Sequence, residues 1–326
     1  MTTKKVAPKQ VANKKKDSLV KVVVSDDKGE WVSPEKSASF EIDENATFPS
    51  VTFEIKTEQA PPYKWSWSIS WDAKVSGLRE SAKRGSLLKT FSEKNSFDSA
   101  ERKWTVDLAK VVGGRLVVEV LAGTETFKRS VQIKGKNPVP DTVKQFVAAI
   151  ANADGFEKLL EQESHFKNFI AADGHPIVAF DKGYGMTQMT NPAPTYEQVW
   201  SWKENINAGV RLYQSKQKEA KTYLSQQSRT YTPEQLRLET WSRWNGGAYH
   251  VWDAKEKTWK RNDALLCDSE TGNIGWDMAK EGNKDKPEKD LHDRDKASYS
   301  NPKKNKGPEN EWRYTGVCYA DHVNSQ

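Results

Sequence analysis

The run YKWSWSISW, residues 63–71, alternates large apolar and small polar side chains with a period of two. Only a strand with one buried face satisfies that pattern. Trp65, Trp67, Ile69 and Trp71 point one way, and Lys64, Ser66, Ser68 and Ser70 the other. A tryptophan-lined strand face is most simply the core side of a sheet; exposed, it would be a platform for stacking sugars. Six further strand-length runs, SLVKVVV, SASFEI, SVTFEIK, RKWTVDL, GRLVVEVL and TFKRSVQIK, are broken by Gly, Pro, Asp and Asn. Together they fit an all-β immunoglobulin-like sandwich over residues 18–135, serving as an accessory or targeting domain.

KGKNPVPDT then changes the period. Pro138 and Pro140 disfavour helix, so residues 136–142 read as a linker, with Asp141 or Thr142 as N-cap of the next element. Val143, Phe146, Val147 and Ile150 follow at helical spacing. Two capping boxes, Thr195 with Gln198 and Thr232 with Gln235, mark further helices, and Ile206, Val210 and Tyr213 form one stripe between them. Beyond about residue 253 the periodic signal decays, and about 278–311 reads as a long charged loop. WRYTGVCYADHV near the end regains aromatic residues that can pack on the body. The fold expected is therefore multidomain, a β-sandwich followed by a mainly α domain over residues 143–326.

The net charge of +6 does not describe a nucleic-acid-binding face. Residues 1–21 hold seven lysines and one aspartate, which supply the whole excess. The body is neutral, and residues 1–17 read as a disordered basic tail. No run of about 18 apolar residues suggests a transmembrane helix, and the lysines of the tail are not followed by the apolar stretch of a secretory signal. Cys267 and Cys318 have no Cys-x-x-Cys or Cys/His spacing, so neither a metal nor another cofactor is expected; one disulfide and two free thiols both remain open. CDSETGNIGWD offers oxygens from Asp268, Glu270, Asn273 and Asp277 but lacks the EF-hand pattern, so it reads first as an ordinary turn, with a calcium site as the alternative.

The chemistry-bearing stretch is LLEQESHFKNFI, residues 159–170. On a helix from Gly155 to Ile170, Glu163 shares a face with Phe156, Leu159, Leu160, Phe166 and Ile170, whereas Glu161 falls on a solvated face. A carboxyl group among apolar neighbours is held toward its neutral form, as a general acid near neutral pH requires.

Taken in order, QESHF, GYGMTQMT, ENINAGVRLY and RWNGGAYHVW resemble the soluble lytic transglycosylases, whose fold is like that of goose-type lysozyme. The resemblance covers roughly residues 143–253. It implies a lysozyme-like catalytic domain with Glu163 as catalytic acid/base and Ser164 against the glycan. It implies further that Met186 and Gln188 line the sugar groove, that Asn205 stabilises the active helix, and that Trp244, Asn245 and Tyr249 lie near substrate. The family has a tyrosine where Trp244 stands, so its hydroxyl contact to the glutamate is missing at that position.

The activity implied is that of a peptidoglycan lytic transglycosylase acting on the β-1,4 bond between N-acetylmuramic acid and N-acetylglucosamine, without cofactor. The alternatives are a hydrolytic muramidase with Asp173 or Asp181 as second carboxylate, and a non-catalytic cell-wall-binding module. Such a chain, made in the cytoplasm without a signal peptide, would act in the bacterial periplasm or cell wall after delivery or release. An antibacterial type VI secretion effector and a phage lysin are the two settings. For an effector, the expected partners beyond the glycan strands are an immunity or inhibitor protein and components of the secretion machine.

Overall fold

Alternation at residues 63–71 becomes one continuous strand only because neighbours pair with it on both sides. The computed structural model describes residues 26–78, 81–296 and 312–326. The expected basic tail and the strand read from SLVKVVV lie outside these, as do residues 297–311 of the expected charged loop. The β-rich part contains β1 (Trp31–Ser33), β2 (Ser39–Ile42), β3 (Thr52–Ile55), β4 (Tyr63–Lys74), β5 (Leu87–Ser99), β6 (Lys103–Thr105), β7 (Gly114–Ala122) and β8 (Glu125–Gly135). Five strands form one sheet in the order β2-β8-β7-β4-β5, and three form another in the order β1-β3-β6. The β2–β8 pair is parallel. Phe53 and Ile55 of β3 share a core with Trp65 and Ile69 of β4 and with Leu116 and Val118 of β7. Trp65, Ile69 and Trp71 are buried as the alternation requires, and half-buried Trp67 stacks on Trp104 of β6 with centroids 6.4 Å apart.

Past the linker, α1 (Pro140–Ala148) starts at Pro140 after Val139. The helix thus opens one residue before the expected cap, because proline is preorganised for the first helical position. Asp141 falls in the first turn, where the helix dipole favours its charge. Next come α2 (Phe156–Ser164), α3 (Tyr196–Trp200), α4 (Trp202–Leu224) and α5 (Pro233–Trp244). Both capping boxes form. At α5 the Thr232 hydroxyl accepts from Gln235 N–H at 3.1 Å, while Gln235 Oε1 accepts from Thr232 N–H at 2.8 Å. Thr232→Ala is expected to cost about 1 kcal/mol, read as a lower denaturant midpoint with unchanged slope.

The β-rich and helical parts are packed together. Trp200, fully buried, meets Trp71 edge-on at 5.4 Å and joins the core of the sheets. Trp202 donates its indole N–H to the Glu44 carbonyl at 3.0 Å, and Ser76 exchanges hydrogen bonds with Val178.

The last quarter of the chain overturns the expectation of a mainly α domain. After α5 come a hairpin, β9 (His250–Asp253) and β10 (Thr258–Arg261), then β11 (Leu265–Cys267), β12 (Ile274–Asp277), α6 (Glu288–Asp295), β13 (Trp312–Tyr314) and α7 (Gly316–Ser325). Strands β11-β12-β13 form an antiparallel sheet. The structure is about 29% helix and 29% strand, so the chain is mixed α/β and not an immunoglobulin-like sandwich followed by a mainly α lysozyme-like domain. The physical reason is strand length. These strands are three or four residues each, too short to show a period, and are held by cross-strand pairs such as Trp252 with Trp259. The expected charged loop likewise contains α6, whose Leu291 packs with Ile274, Trp276 and Trp312. Its buried Asp295 accepts from Trp276 Nε1 at 2.9 Å. Among the described residues, no helix is long and apolar enough to cross a membrane.

Candidate active site

Helix α2 opens after Gly155, which takes the left-handed conformation at φ 82° that a side chain disfavours. Phe156, Leu159 and Leu160 are fully buried against α4 and α5 residues including Ile206, Val210 and Trp241. The helix stops at Ser164, earlier than the expected Ile170, because His165 and Phe166 are both left-handed at φ 51° and 59°. Glu163 therefore occupies the last turn, where a chain reversal leaves room for other elements to approach.

Two elements do. The Tyr319 hydroxyl of α7 donates to Glu163 Oε1 at 2.6 Å, and the Trp244 indole N–H at the end of α5 donates to the same oxygen at 3.2 Å. Glu161 and Glu163 are both half-buried, so exposure alone does not separate them as the helical wheel anticipates. Convergent donors distinguish Glu163. A phenol O–H on a carboxylate is a short, charge-assisted bond that sets the orientation of the group as well as holding it.

Trp244 thus supplies through nitrogen the contact that its missing hydroxyl put in question. Its ring packs edge-on against Phe156 at 5.7 Å, which keeps the indole N–H aimed at the carboxylate. Tyr319 supplies the hydroxyl. The sequence reading missed this residue, although Thr315 as N-cap followed by Tyr319 and Val323 on one helical face was a usable signal.

Around the GYGMTQMT turn, buried amides do the positioning. Asn205 on α4, fully buried, accepts from Thr187 N–H at 2.8 Å and donates to the Tyr184 and Gln198 carbonyls at 3.1 and 2.9 Å. Asn168, also fully buried, accepts from Met186 N–H at 3.0 Å and donates to the Val199 carbonyl at 3.1 Å. Asn137 from the linker accepts from the N–H groups of Asn168 and Phe169, both at 2.8 Å. Gly185 lies between the first two at φ +66°; a Cβ there would stand 2.4 Å from Asn168 Oδ1 and 2.8 Å from Asn205 Nδ2. The residues that follow the Glu163 helix and the turn beside it are thereby one hydrogen-bonded unit.

Other expected residues are placed differently. The Met186 side chain is fully buried core and does not line an open groove. Gln188 is half-buried, with its amide donating back to the Gly185 carbonyl at 2.6 Å. Ser164 donates to the Leu160 carbonyl at 3.2 Å and closes the helix end. Asn245 is exposed just after α5. Tyr249 is buried and donates its hydroxyl to Asp321 Oδ1 at 2.6 Å, so it supports α7. Burial, reinforced by Asp321, pushes that hydroxyl above its ordinary range and keeps it a neutral donor. Asp173 and Asp181 are exposed and each accepts a backbone N–H two residues on, from His175 at 2.9 Å and Gly183 at 3.2 Å. Both act as turn residues.

The two cysteines are joined as the disulfide Cys267–Cys318. Asp268 in the oxygen-rich stretch is buried and accepts from Glu270 N–H, Thr271 N–H and the Thr271 hydroxyl, which closes a turn. Among the described residues, no group of three or more His, Cys, Asp and Glu side chains is placed to hold a metal ion. Two open cavities of about 470 and 430 Å³ lie on the β-rich part, lined by residues such as Trp65 and Phe97, and Leu108 and Val111; Glu163 lines neither. Models of known protein families and curated proteins give no match to this chain.

Proposed function

We propose that this protein cleaves the β-1,4 bond between N-acetylmuramic acid and N-acetylglucosamine in peptidoglycan, by lytic transglycosylation with Glu163 as acid and then base. The observation that carries the reading is the convergence on Glu163 Oε1 of the Tyr319 hydroxyl and the Trp244 indole N–H, from two helices far apart in sequence. A proton-transferring carboxyl must be held in one orientation, and two donors from separate helices hold Glu163 in this way. The four ordered motifs QESHF, GYGMTQMT, ENINAGVRLY and RWNGGAYHVW add to it.

In this reaction Glu163 passes its proton to the glycosidic oxygen as the bond to the muramic C1 breaks. The acetamido group of the substrate stabilises the positive charge that develops there. The Glu163 carboxylate then takes the proton of the muramic C6 hydroxyl while that oxygen bonds to C1, and a 1,6-anhydro sugar leaves. No water is consumed, and the nucleophile is already tethered to the reacting ring, so one carboxyl serves both steps. The turn roles of Asp173 and Asp181 offer nothing to favour the hydrolytic alternative.

The disulfide fits action in an oxidising compartment such as the periplasm. An antibacterial effector, delivered by a type VI or comparable machine and restrained by an immunity protein over the Glu163 site, is the setting this reading implies. Mass spectrometry of purified sacculi digested by the protein tests it. Muropeptides lighter by one water at the muramic end are expected. A reducing muramic end would replace transglycosylation with hydrolysis, and binding without any release would leave a glycan-binding module.

A further inference from the structure

Helix α7 carries Tyr319 to Glu163, and three attachments outside the site hold that helix. Gly316 lies against the end of α5, where a Cβ would stand 2.3 Å from the Ser242 carbonyl oxygen. Cys318 is bonded to Cys267 on β11. Asp321 accepts from the Tyr249 hydroxyl at 2.6 Å and from Arg261 Nε at 2.9 Å. Tyr319 stands next to Cys318 and within one helical turn of Asp321, so any freedom of the helix at these points becomes freedom of the hydroxyl.

We infer that the Cys267–Cys318 disulfide is a positioning element of the site, holding Tyr319 on Glu163, so that the active arrangement forms only when this pair is oxidised. The inference rests on the reading of Glu163 as the acid/base. Cys318 is fully buried and Cys267 half-buried, so a dithiol reductant acts at Cys267. Its thiolate attacks Cys267 Sγ, and Cys318 leaves as a thiolate and takes up a proton. The second thiolate of the reductant then displaces Cys267 and closes the reductant's own disulfide. Two electrons pass to the protein and one proton to Cys318, while the Cys267 sulfur is released as a thiolate beside Arg261.

Arg261 transmits the change. Its Nη2 lies 3.1 Å from Cys267 Sγ and 2.7 Å from Asp321 Oδ2. A released Cys267 sulfur next to a guanidinium is favoured as thiolate and competes with Asp321 for it. Reduction therefore removes the covalent tie of α7 and weakens its main ionic one. In a reducing cytoplasm the chain would hold its acid/base without the tyrosine donor, which is a means of keeping a wall-cleaving enzyme subdued where it is made.

The test uses the full chain, oxidised and after treatment with dithiothreitol. Amide hydrogen exchange is followed by segment, and turnover on soluble glycan fragments is measured for wild type and Tyr319→Phe in both states. Reduction is expected to speed exchange in Gly316–Ser325 at least about tenfold while the β4–β7 ladder is unchanged. It should lower kcat about 10- to 100-fold with little change in KM, the range for loss of a hydrogen bond to a charged group. Tyr319→Phe should show the same loss when oxidised, and reduction should add little to it. The Cys267→Ser/Cys318→Ser double variant should match the reduced wild type. Unchanged exchange in α7, full additivity of reduction with Tyr319→Phe, or loss of protection throughout the chain would each overturn the inference. An oxidised wild type that cleaves no glycan would remove the proposed reaction instead, and the exchange result would still decide whether the disulfide holds α7.

Discussion

Glu163→Gln lowers turnover on peptidoglycan about 10³-fold, within the range that general acid–base catalysis contributes, and leaves stability within about 1 kcal/mol of wild type. The substitution is nearly isosteric. Its amide oxygen can still accept from Tyr319 and Trp244, so both donors that converge on Glu163 Oε1 retain a partner. What disappears is a group that can give a proton to the glycosidic oxygen and later take one from the C6 hydroxyl. Binding of glycan strands to the variant should therefore persist while product release from sacculi stops. A Glu163→Gln variant that retains more than about a tenth of wild-type turnover would move the acid/base elsewhere. The same measurement on Glu161→Gln gives the contrast, because Glu161 shares the helix and the half-buried exposure of Glu163 but lies about 200° away around the axis.

That contrast shows where periodicity carries an argument and where it stops. The alternation of β4 placed Trp65, Ile69 and Trp71 in the core because a strand has only two faces and one must be dry. Capping at Thr195 and Thr232 is local chemistry within four residues, so it too was legible. Strand β5 was not: LLKTFSEKNSFDS is polar at most positions, and its conformation comes from a long ladder with β4 at the end of the sheet. Likewise β9 to β13 are too short to display a period, and aromatic pairing across strands does the work that length does elsewhere.

Within the site, the Glu163 helix was readable but its end was not, since His165 and Phe166 adopt left-handed conformations that neither residue type signals. Tyr319 is separated from Glu163 by 156 positions. No local pattern reports a contact of that range, and the disulfide that braces it was only one of two readings open to the cysteines. The buried amides were half legible. Asn205 entered through the family resemblance, whereas Asn137 and Asn168 look in sequence like ordinary turn formers and reveal their role only through partners such as those 32 and 18 residues away.

Asn205→Asp is expected to destabilise the protein by about 4 kcal/mol, more than a typical core truncation of a single methyl group. The fully buried Asn205 uses one acceptor bond, from Thr187 N–H, and two donor bonds, to the Tyr184 and Gln198 carbonyls. Aspartate keeps the acceptor but replaces the amide donor with an oxygen facing two carbonyl oxygens at about the distances of the former hydrogen bonds. Ionised, it is a buried charge among acceptors; protonated, it can satisfy only one of them. Asn205→Ala leaves the same two carbonyls and the Thr187 N–H unpaired, yet it introduces no charge, so it should cost less than the aspartate at neutral pH. Lowering the pH toward the ordinary carboxylate range should narrow the gap between the two variants, as the aspartate takes up a proton. Urea denaturation at about pH 7 and about pH 5 reads both effects. An aspartate variant as stable as wild type at neutral pH would mean that Asn205 does not hold the Thr187 turn through these bonds, and the hydrogen-bonded unit behind Glu163 would have to be built from Asn168 and Asn137 alone.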